Sequence, residues 1–399
     1  MKKSPICLFC AFLCVALLNS CSTVERDFVP NRRVMVFYAA AFNNLSDSII
    51  KNIDDFCNGQ LPAVGNDDVF LVYAHTTSRY GVYTPTNPVL FRAYRGPEGQ
   101  LRRDTLIVYP DTDVSSTAEV LNNVLNDVRD KFPARSYGLL FSSHAKGWVP
   151  VGYKEQSSSL FGTGGVHPEY PLTKELGTEN ATGSGIDIRD LPAALPMHLD
   201  FFIMDACLMG CVEVAYELRD KCDLLLFSPT EILAAGMPYK TMPEKLLDIA
   251  SPDLEGIARE YYEMYEAESG LYKSATITLV DCRKTEALAQ VVGEIIAAHR
   301  AGFDNAPRSQ VQPYFYNDFH WFYDLRDLLV KSGATDAELA RLDKALGDCV
   351  LYKAATEKFF NLKLDSVCGL SVYFPIPGNT VLNNYYKTLS WNKATGIIL

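Results

Sequence analysis

Two residue types in this sequence could do covalent chemistry together, a cysteine and a histidine that each follow a short apolar run. Cys207 comes after the run at 201–204, and His144 comes after the run at 137–142. A cysteine thiolate is a strong nucleophile, and a nearby imidazole can generate it or form an ion pair with it. The residues alone also permit a structural role, because free cysteine is among the most often buried residue types. A Cys–His dyad is therefore a hypothesis that the surrounding elements must support.

The elements that would position these two residues are apolar strands alternating with segments of helical spacing. This alternation predicts a single α/β domain with a mainly parallel sheet, helices on its faces and a helical C-terminal subregion. Active groups in such sheets gather at the carboxyl ends of the strands, so His144 and Cys207 would meet across one crevice if their strands are neighbours. The predicted strands lie at 34–40, 68–74, 137–142, 201–204, 223–228, 275–280 and 369–375, with two shorter ones within 88–109.

The helical segments are predicted from apolar residues at intervals of three and four. Ser116 and Glu119 form a capping-box pattern at the start of one of them. Residues 147–185 are instead rich in Gly, Ser, Thr and Pro and lack periodicity, which predicts a long loop between His144 and Cys207. The helices are expected near 44–57, 115–128, 186–195, 211–221, 242–250, 253–266, 283–300, 320–331 and 335–352.

The residues around the two candidate positions resemble the clostripain-like cysteine peptidases, relatives of caspases, gingipains and legumains. One strand of that family ends in a His-Gly-x-Gly-Trp-like stretch, which is HAKGW at 144–148 here. A second strand ends in Asp-x-Cys followed by Met and then Glu, which is DACLM at 205–209 with Glu213 after it. The resemblance implies a caspase-like α/β fold and a hydrolase of the cysteine endopeptidase class. Further similar segments at 228–231, 236–239 and 369–375 extend it over roughly residues 34–390.

The resemblance also implies a role for each site residue. His144 would be the general base and acid, and Cys207 the nucleophile that forms a thioester with the substrate. The backbone amides of Ala145 and Cys207 would bind the oxyanion. Asp205 would lie at the base of the S1 pocket and attract a basic P1 side chain, with Arg preferred over Lys because a guanidinium can make two hydrogen bonds to one carboxylate. The alternative for Asp205 is a strand-end carboxylate that caps the following turn.

Two positions depart from the family pattern. Ala145 stands where Gly usually follows the histidine, and its methyl group would crowd the oxyanion site. Ala234 and Ala235 stand where related chains often carry an acid, so the preference for basic residues is expected to be shallow. These departures leave a second interpretation open, a catalytically weak or inactive peptidase-fold lipoprotein that acts as a binding protein.

The long loop indicates how such an enzyme could be activated. Related peptidases are often cut in this region, and we expect self-cleavage after a basic residue within 147–185, with Lys154 as the first choice. The alternative is a surface insertion that is never cut. The chemistry requires no cofactor; some relatives use calcium, but the sequence contains no EF-hand loop.

The N-terminus has the pattern of an export signal. Lys2 and Lys3 precede an apolar run at 6–18 that is shorter than the ~20 residues of a membrane span. The stretch LNSC at 18–21 resembles a bacterial lipobox, with an ordinary secretory signal as the alternative. A lipid on Cys21 would anchor the protein in the cell envelope, at the outer membrane or cell surface, without making it a spanning protein. The expected organisation is a signal peptide at 1–20, a tether at 21–33 and a clostripain-like peptidase domain at 34–390.

Composition and charge exclude several other classes of protein. The formal net charge is −11, and it becomes −13 when Lys2 and Lys3 leave with the signal peptide, which disfavours nucleic-acid binding. Seven cysteines follow Cys21, and they lack the CxxC pairs of a structural zinc site. The expected partners are protein or peptide substrates and, through the lipid anchor, a membrane. The histidines interpreted as surface or packing residues, without metal-ligand spacing, are His75, His167, His198, His299 and His320.

Overall fold

Most of the apolar runs form one nine-stranded sheet in the computed structural model, which describes residues 30–77, 86–153, 170–174, 185–247, 251–315 and 321–399. The order across this sheet is β10-β8-β7-β6-β5-β1-β2-β3-β4, and the remaining four short strands form two small ladders. The strands are β1 (Asn31–Ala41), β2 (Asp68–Thr76), β3 (Val89–Arg95), β4 (Leu101–Val108), β5 (Ala134–Ser142), β6 (Leu199–Asp205), β7 (Cys222–Phe227), β8 (Thr276–Asp281), β9 (Tyr323–Asp324), β10 (Val350–Ala355), β11 (Lys358–Phe359), β12 (Leu362–Lys363) and β13 (Ser371–Val372).

The sheet is parallel in its middle and antiparallel at both edges. Strand β1 pairs in parallel with β2 and β5, and β6 pairs in parallel with β5 and β7. The strands β3 and β4 on one side, and β8 and β10 on the other, add in antiparallel. The prediction of a mainly parallel α/β sheet is confirmed. The carboxyl ends of the central parallel strands all lie on the same side of the sheet, which is where such sheets bind ligands.

Helices connect the strands and cover the sheet, so its centre is buried on both faces. Every residue of β1 from Arg33 to Ala41 is buried, for example. A parallel strand covered on both sides appears in the sequence as a continuous apolar run, which is why β1 was recognisable. The α-helices of the described residues are α1 (Ser46–Asn58), α2 (Ala118–Lys131), α3 (Leu191–Ala194), α4 (Val212–Glu217), α5 (Met242–Leu246), α6 (Leu254–Glu266), α7 (Thr285–Ala298), α8 (Arg300–Asp304), α9 (Leu325–Lys331), α10 (Asp336–Cys349), α11 (Thr380–Tyr386) and α12 (Ser390–Thr395).

The first strand begins earlier than the sequence predicted. Strand β1 starts at Asn31, inside the expected tether, and Arg32 forms an ion pair with Asp68 of β2. This pair fixes residues 31–33 to the neighbouring strand, so they belong to the sheet. The predicted signal peptide, Cys21 and the rest of the tether up to residue 29 lie outside the described residues. No helix among the described residues is both long and apolar enough to cross a membrane.

Three local predictions were wrong. The N-cap of α2 is Thr117 and not the predicted Ser116. Thr117 has an extended backbone, and its side chain accepts a hydrogen bond from the N–H of Val120. The helix predicted up to 352 ends at Cys349, and β10 follows it without a break. The predicted strand at 369–375 forms a ladder only at Ser371–Val372, which pairs with β9 outside the main sheet.

Candidate active site

His144 and Cys207 follow the carboxyl ends of two neighbouring strands in the middle of the sheet. In the parallel pair β5–β6, Ser142 stands opposite Asp205. His144 and Cys207 each follow this pair by two residues, and adjacent strands are about 4.8 Å apart. The register therefore brings the candidate base and the candidate nucleophile to one end of the sheet, as their positions after apolar runs predicted.

The backbone after Cys207 turns sharply away from the strand. Leu208 has a φ of 62°, a left-handed conformation that is uncommon for a residue with a branched side chain. Its N–H donates to the backbone oxygen of Thr230 at 2.9 Å, which holds the turn. A Cβ atom at Gly147 would meet the Leu208 oxygen at 2.4 Å, so the loop after His144 packs here only because residue 147 is glycine. The two candidate segments are thus in direct contact.

Asn44 holds the imidazole of His144. The Nε2 atom of His144 is 2.7 Å from Oδ1 of Asn44, which lies between β1 and α1. Because Oδ1 is an acceptor, Nε2 carries the proton and Nδ1 is the basic nitrogen of the neutral ring. The side-chain amide therefore fixes both the tautomer and the orientation that a general base needs.

The thiol of Cys207 is buried against the segment that follows β7. The N–H of Ile232 donates to the sulfur at 3.1 Å, and the sulfur lies 3.6 Å from the Ile232 backbone oxygen. A backbone N–H directed at sulfur favours the thiolate over the neutral thiol. Ile232 had no role in the sequence analysis, because its contribution comes from its backbone and not from its residue type.

Asp205, two residues before Cys207, is surrounded by buried groups that we call the Asp205 pocket and define by Asp205, Ser142, Gly236 and Tyr239. The carboxylate is fully buried and accepts hydrogen bonds on Oδ2 from Ser142, at 2.6 Å, and from the hydroxyl of Tyr239. Burial and the nearby carboxylate raise the pKa of Tyr239 well above its ordinary value, so it remains a neutral donor. The Oδ1 atom has no hydrogen-bond partner among the described residues.

A lysine from the long loop fills this pocket. The ammonium group of Lys174 forms an ion pair with Asp205 and lies 3.1 Å from the hydroxyl of Ser142. Lys174 is fully buried, and burial lowers its pKa while the carboxylate of Asp205 offsets part of that change. A Cβ atom at Gly236 would meet the Lys174 nitrogen at 2.9 Å, so the glycine leaves the space that the ammonium occupies.

Ala145, the residue that departs from the family pattern, still presents its amide to the site. Its N–H donates to the backbone oxygen of Lys174 at 3.3 Å. The methyl group therefore does not prevent this amide from reaching a carbonyl oxygen, which is what an oxyanion donor must do.

The family model that matches the chain is that of the Clostripain family, and the match spans residues 37–395. The chain belongs to the clostripain family. This clostripain-family protein is a cysteine peptidase and therefore a hydrolase, whose chemistry needs no cofactor. Among its described residues, no group of three or more His, Cys, Asp or Glu side chains could hold a metal ion. No curated protein sequence matches it.

Solved structures of C11 proteases share the fold of this clostripain-family chain. An inactive zymogen C11 protease from Parabacteroides distasonis is 27% identical, with a TM-score of 0.74, over 92% of this chain and 99% of that one. The secreted C11 cysteine protease iotapain of Bacteroides thetaiotaomicron is 25% identical, with a TM-score of 0.74, over 92% of this chain and 100% of that one. A secreted C11 cysteine protease of the same species, in complex with an irreversible peptide inhibitor, is similar in fold at 24% identity and a TM-score of 0.74, over 91% and 98% of the chains. The expected caspase-like fold is confirmed.

Sequence reasoning named five of the site positions and missed others. The carboxyl ends of β5 and β6 bring together four of them, His144, Ala145, Asp205 and Cys207. The fifth, Lys154, lies outside the described residues. The missed residues divide into those inside quoted segments and those without any local signal. Ser142 and Tyr239 belong to the first group, and Asn44 and Ile232 belong to the second. Lys174 was considered only as one of the basic residues of the loop at 147–185, without a place beside Asp205.

Proposed function

We propose that this peptidase is an endopeptidase that cleaves proteins or peptides after basic residues, with Cys207 as nucleophile and His144 as base. The observation that carries the proposal is the buried carboxylate of Asp205, two residues before Cys207. It forms an ion pair with the ammonium group of Lys174, the same group that a substrate with Lys at P1 would present. A buried carboxylate without a cation costs several kcal/mol, so a pocket built this way selects positive charge.

The proposed reaction follows from the residues at the site. His144 takes the thiol proton of Cys207 through its basic nitrogen, and the thiolate attacks the P1 carbonyl carbon. The peptide C–N bond breaks, the leaving amine receives the proton from His144, and a thioester remains on Cys207. Water then attacks the thioester with His144 as base, which releases the P1 carboxylate and restores the thiol.

The oxyanion of each tetrahedral intermediate is proposed to be bound by the amides of Ala145 and Cys207. The N–H of Ala145 already donates to a carbonyl oxygen at 3.3 Å, the oxygen of Lys174. Preorganised backbone donors of this kind stabilise charge that develops in the transition state. Asn44 is proposed as a positioning residue, because its bond to Nε2 leaves the other ring nitrogen as the base.

We further propose that the pocket prefers Arg over Lys. Lys174 uses only the Oδ2 oxygen of Asp205, and Oδ1 has no partner among the described residues. A guanidinium could pair with both oxygens, which adds geometry to charge. With Ala235 in place of an acid, the preference is expected to be basic but shallow.

The experiment that tests this function is a competition between fluorogenic peptides that differ only at P1, with Arg, Lys, Asp, Asn or Leu. We expect cleavage in the order Arg, then Lys, with little cleavage after the other three. Preferred cleavage after Asp or Asn would contradict the role of Asp205. A well-folded protein, with any activating cut already made, that cleaves no peptide would favour the inactive binding protein instead.

The proposed location is the cell envelope, with a lipid on Cys21 as anchor. Its support is the lipobox-like stretch at 18–21 and the description of iotapain as secreted. Cys21→Ala should move the protein from the membrane fraction to the soluble fraction of exporting cells. Unchanged membrane association of Cys21→Ala would contradict the anchor.

We also propose that the enzyme is made as a precursor that cuts itself within the loop at 147–185. The description of the Parabacteroides relative as an inactive zymogen supports this proposal.

A further inference from the structure

Three cysteines lie together at the end of the sheet opposite the active site. Cys222 begins β7, Cys282 directly follows β8, and Cys349 directly precedes β10. All three are fully buried. Cys207 follows the carboxyl end of β6, which pairs in parallel with β7. The three thiols are therefore separated from Cys207 by about the length of a strand, roughly 17–20 Å.

The end of β8 lies beside the start of β7, and one arginine connects them. The antiparallel ladder of these strands runs up to Asp281, the residue before Cys282. Arg283 forms ion pairs with Asp281, at 2.8 Å, and with Asp223, at 3.7 Å. Cys222 and Cys282 are the chain neighbours of these two carboxylates. Backbone pairing and charge thus bring the two cysteines together independently of their own side chains.

The sulfur atoms of Cys222 and Cys282 are in contact. The two thiols share a side-chain hydrogen bond, and the Cys222 sulfur also lies 3.1 Å from the backbone oxygen of Leu224. The Cys349 sulfur is instead directed at the backbone oxygen of Asp281, at 3.7 Å. Two cysteines on paired strand ends whose sulfurs are in contact need little backbone movement to form a disulfide.

We propose that Cys222 and Cys282 form a disulfide bond in the exported protein, with Cys349 left as a thiol beside it. This proposal rests on the proposed export, because disulfides form in envelope compartments whereas cytoplasmic thiols stay reduced. It does not depend on the proposed peptidase activity. The bond would close a loop that contains Ile232 and Tyr239, two residues of the active site.

The reaction is a two-electron oxidation by a disulfide oxidant of the cell envelope. The thiolate of one cysteine attacks the S–S bond of the oxidant, which gives a mixed disulfide and releases one oxidant thiolate. The thiolate of the partner cysteine then attacks the sulfur of the first, which forms the Cys222–Cys282 bond and releases the second oxidant thiolate. The two protons lost by the cysteines end on the two released thiols.

Burial determines when this bond can form. Burial and the contact with Cys222 raise the pKa of the Cys282 thiol well above its ordinary value. Because the thiolate is the attacking species, the folded thiol is a poor nucleophile. Oxidation is therefore expected while the chain folds, before this end of the sheet closes. The completed disulfide is then covered and protected from reductants.

The first test is peptide mapping of mature protein recovered from the envelope of exporting cells, with thiols trapped by acid and alkylated in denaturant. Without reductant, trypsin should yield peptides 222–240 and 274–283 as one joined species, two hydrogen atoms lighter than their sum. Protein expressed without residues 1–20, and so kept in the cytoplasm, is the matched control and should yield both peptides alkylated. Alkylation of both in the envelope protein, or a link between Cys282 and Cys349, would overturn the proposal.

The second test measures the effect of the bond on stability. A disulfide that closes a loop of about 60 residues restricts the unfolded chain, so its reduction should lower the thermal transition by about 5 °C. The transition of the envelope protein is recorded before and after reduction in mild denaturant. Cys282→Ser, and Cys222→Ser as a second variant, should lose this response, and Cys349→Ser should keep it. A response that is unchanged in the first two variants would overturn the proposal.

Failure of the proposed export is distinguishable from failure of the disulfide. Protein that keeps residues 1–20 and is found in the cytoplasm, with both thiols free, refutes the export and the disulfide with it. Protein that has lost residues 1–20 and is recovered from the envelope with both thiols free refutes the disulfide alone.

Discussion

Two buried carboxylates, eight residues apart in sequence, illustrate the difference between a binding pocket and a scaffold. Asp205 and Glu213 are both fully buried, and each has one oxygen without a hydrogen-bond partner among the described residues. Asp205 pairs with the cation of Lys174, a residue from a separate loop. Glu213 instead accepts on Oε1 from the N–H of Tyr373 at 2.9 Å and from the hydroxyl of Tyr386 at 2.6 Å.

The difference lies in what compensates each carboxylate. Burial raises the pKa of Glu213 to about 7, against the opposing effect of its hydrogen bonds, so a proton can neutralise it. Its neutral partners Tyr373 and Tyr386 pack with Trp148, which belongs to the loop after His144. Glu213 is therefore part of an aromatic cluster next to the site, whereas Asp205 is compensated by the cation of Lys174.

The largest expected effect distinguishes the two cysteines that accompany these carboxylates. Cys207→Ala should lower peptidase activity by at least about 10⁴-fold, because removal of the nucleophile leaves only binding and oxyanion stabilisation. The matched control is Cys211→Ala, which removes an equally buried thiol next to Glu213 and should retain activity. Initial rates with an Arg P1 peptide and the thermal transition of each variant are measured. Similar losses of activity in both variants would mean that removal of a buried thiol disturbs the packing of the site, and that Cys207 has no special chemical role.

The second effect concerns the charge of the pocket. Asp205→Asn should lower kcat/KM for Arg and Lys peptides by about 10²- to 10³-fold, because one partner of a buried ion pair is worth several kcal/mol. The rate with a Leu peptide should change far less. Glu213→Gln, the same chemical change in the scaffold, should leave the P1 preference unaltered. Unchanged Arg selectivity in Asp205→Asn would require another acid for the pocket.

The fold was easier to predict from sequence than the site. Strands β5 and β6 are continuous apolar runs because both faces are buried, and the reactive residues follow them directly. Strand β10 was missed, because this edge strand continues from α10 without a turn residue and shows alternating burial over only a few residues. Local patterns are informative where a strand is central and ambiguous where it is at the edge.

The contacts that Lys174 and Asn44 make with the site could not be predicted from sequence for a different reason. A lysine in a Gly- and Thr-rich loop has the appearance of a solvated residue, and only the folded chain brings it to Asp205, 31 positions away. Asn44 reaches His144 across 100 positions. Both roles depend on contacts between distant segments, which composition and periodicity do not encode.

A smaller effect is expected from the residue that positions the base. Asn44→Ala should lower kcat by about tenfold with little change in KM, because the imidazole remains present but loses its fixed tautomer. The acidic limb of the pH profile of kcat/KM should move to lower pH, since an acceptor on Nε2 favours the imidazolium. The control is Asn305→Ala, which removes an exposed side-chain amide that donates to the Ala301 backbone oxygen one helical turn earlier. A loss that appears only in KM, with an unshifted pH profile, would argue against positioning.

The smallest effect on activity is expected from Glu213, whose contribution should appear in stability. Its folded-state pKa of about 7 exceeds the ordinary value of 4.5, so the folded state binds the proton more tightly than the unfolded state. The free energy of unfolding should therefore fall by about 3 kcal/mol as pH rises from 4.5 to 7 and above, relative to Glu213→Gln. Urea denaturation of both proteins between pH 4 and about 8 measures this difference. Parallel stability curves would show that Glu213 does not titrate in this range.

The central claim is that Cys207, and no other thiol of the chain, attacks a carbonyl whose basic side chain is held by Asp205. The direct measurement is covalent labelling with a peptidyl acyloxymethyl ketone that carries Arg at P1, followed by peptide mapping of all cysteines. The account predicts modification of Cys207 alone, with the Leu P1 analogue reacting much more slowly and Asp205→Asn abolishing the difference. Labelling of any other cysteine at a comparable rate, or equal rates for the Arg and Leu probes in wild type, would contradict it.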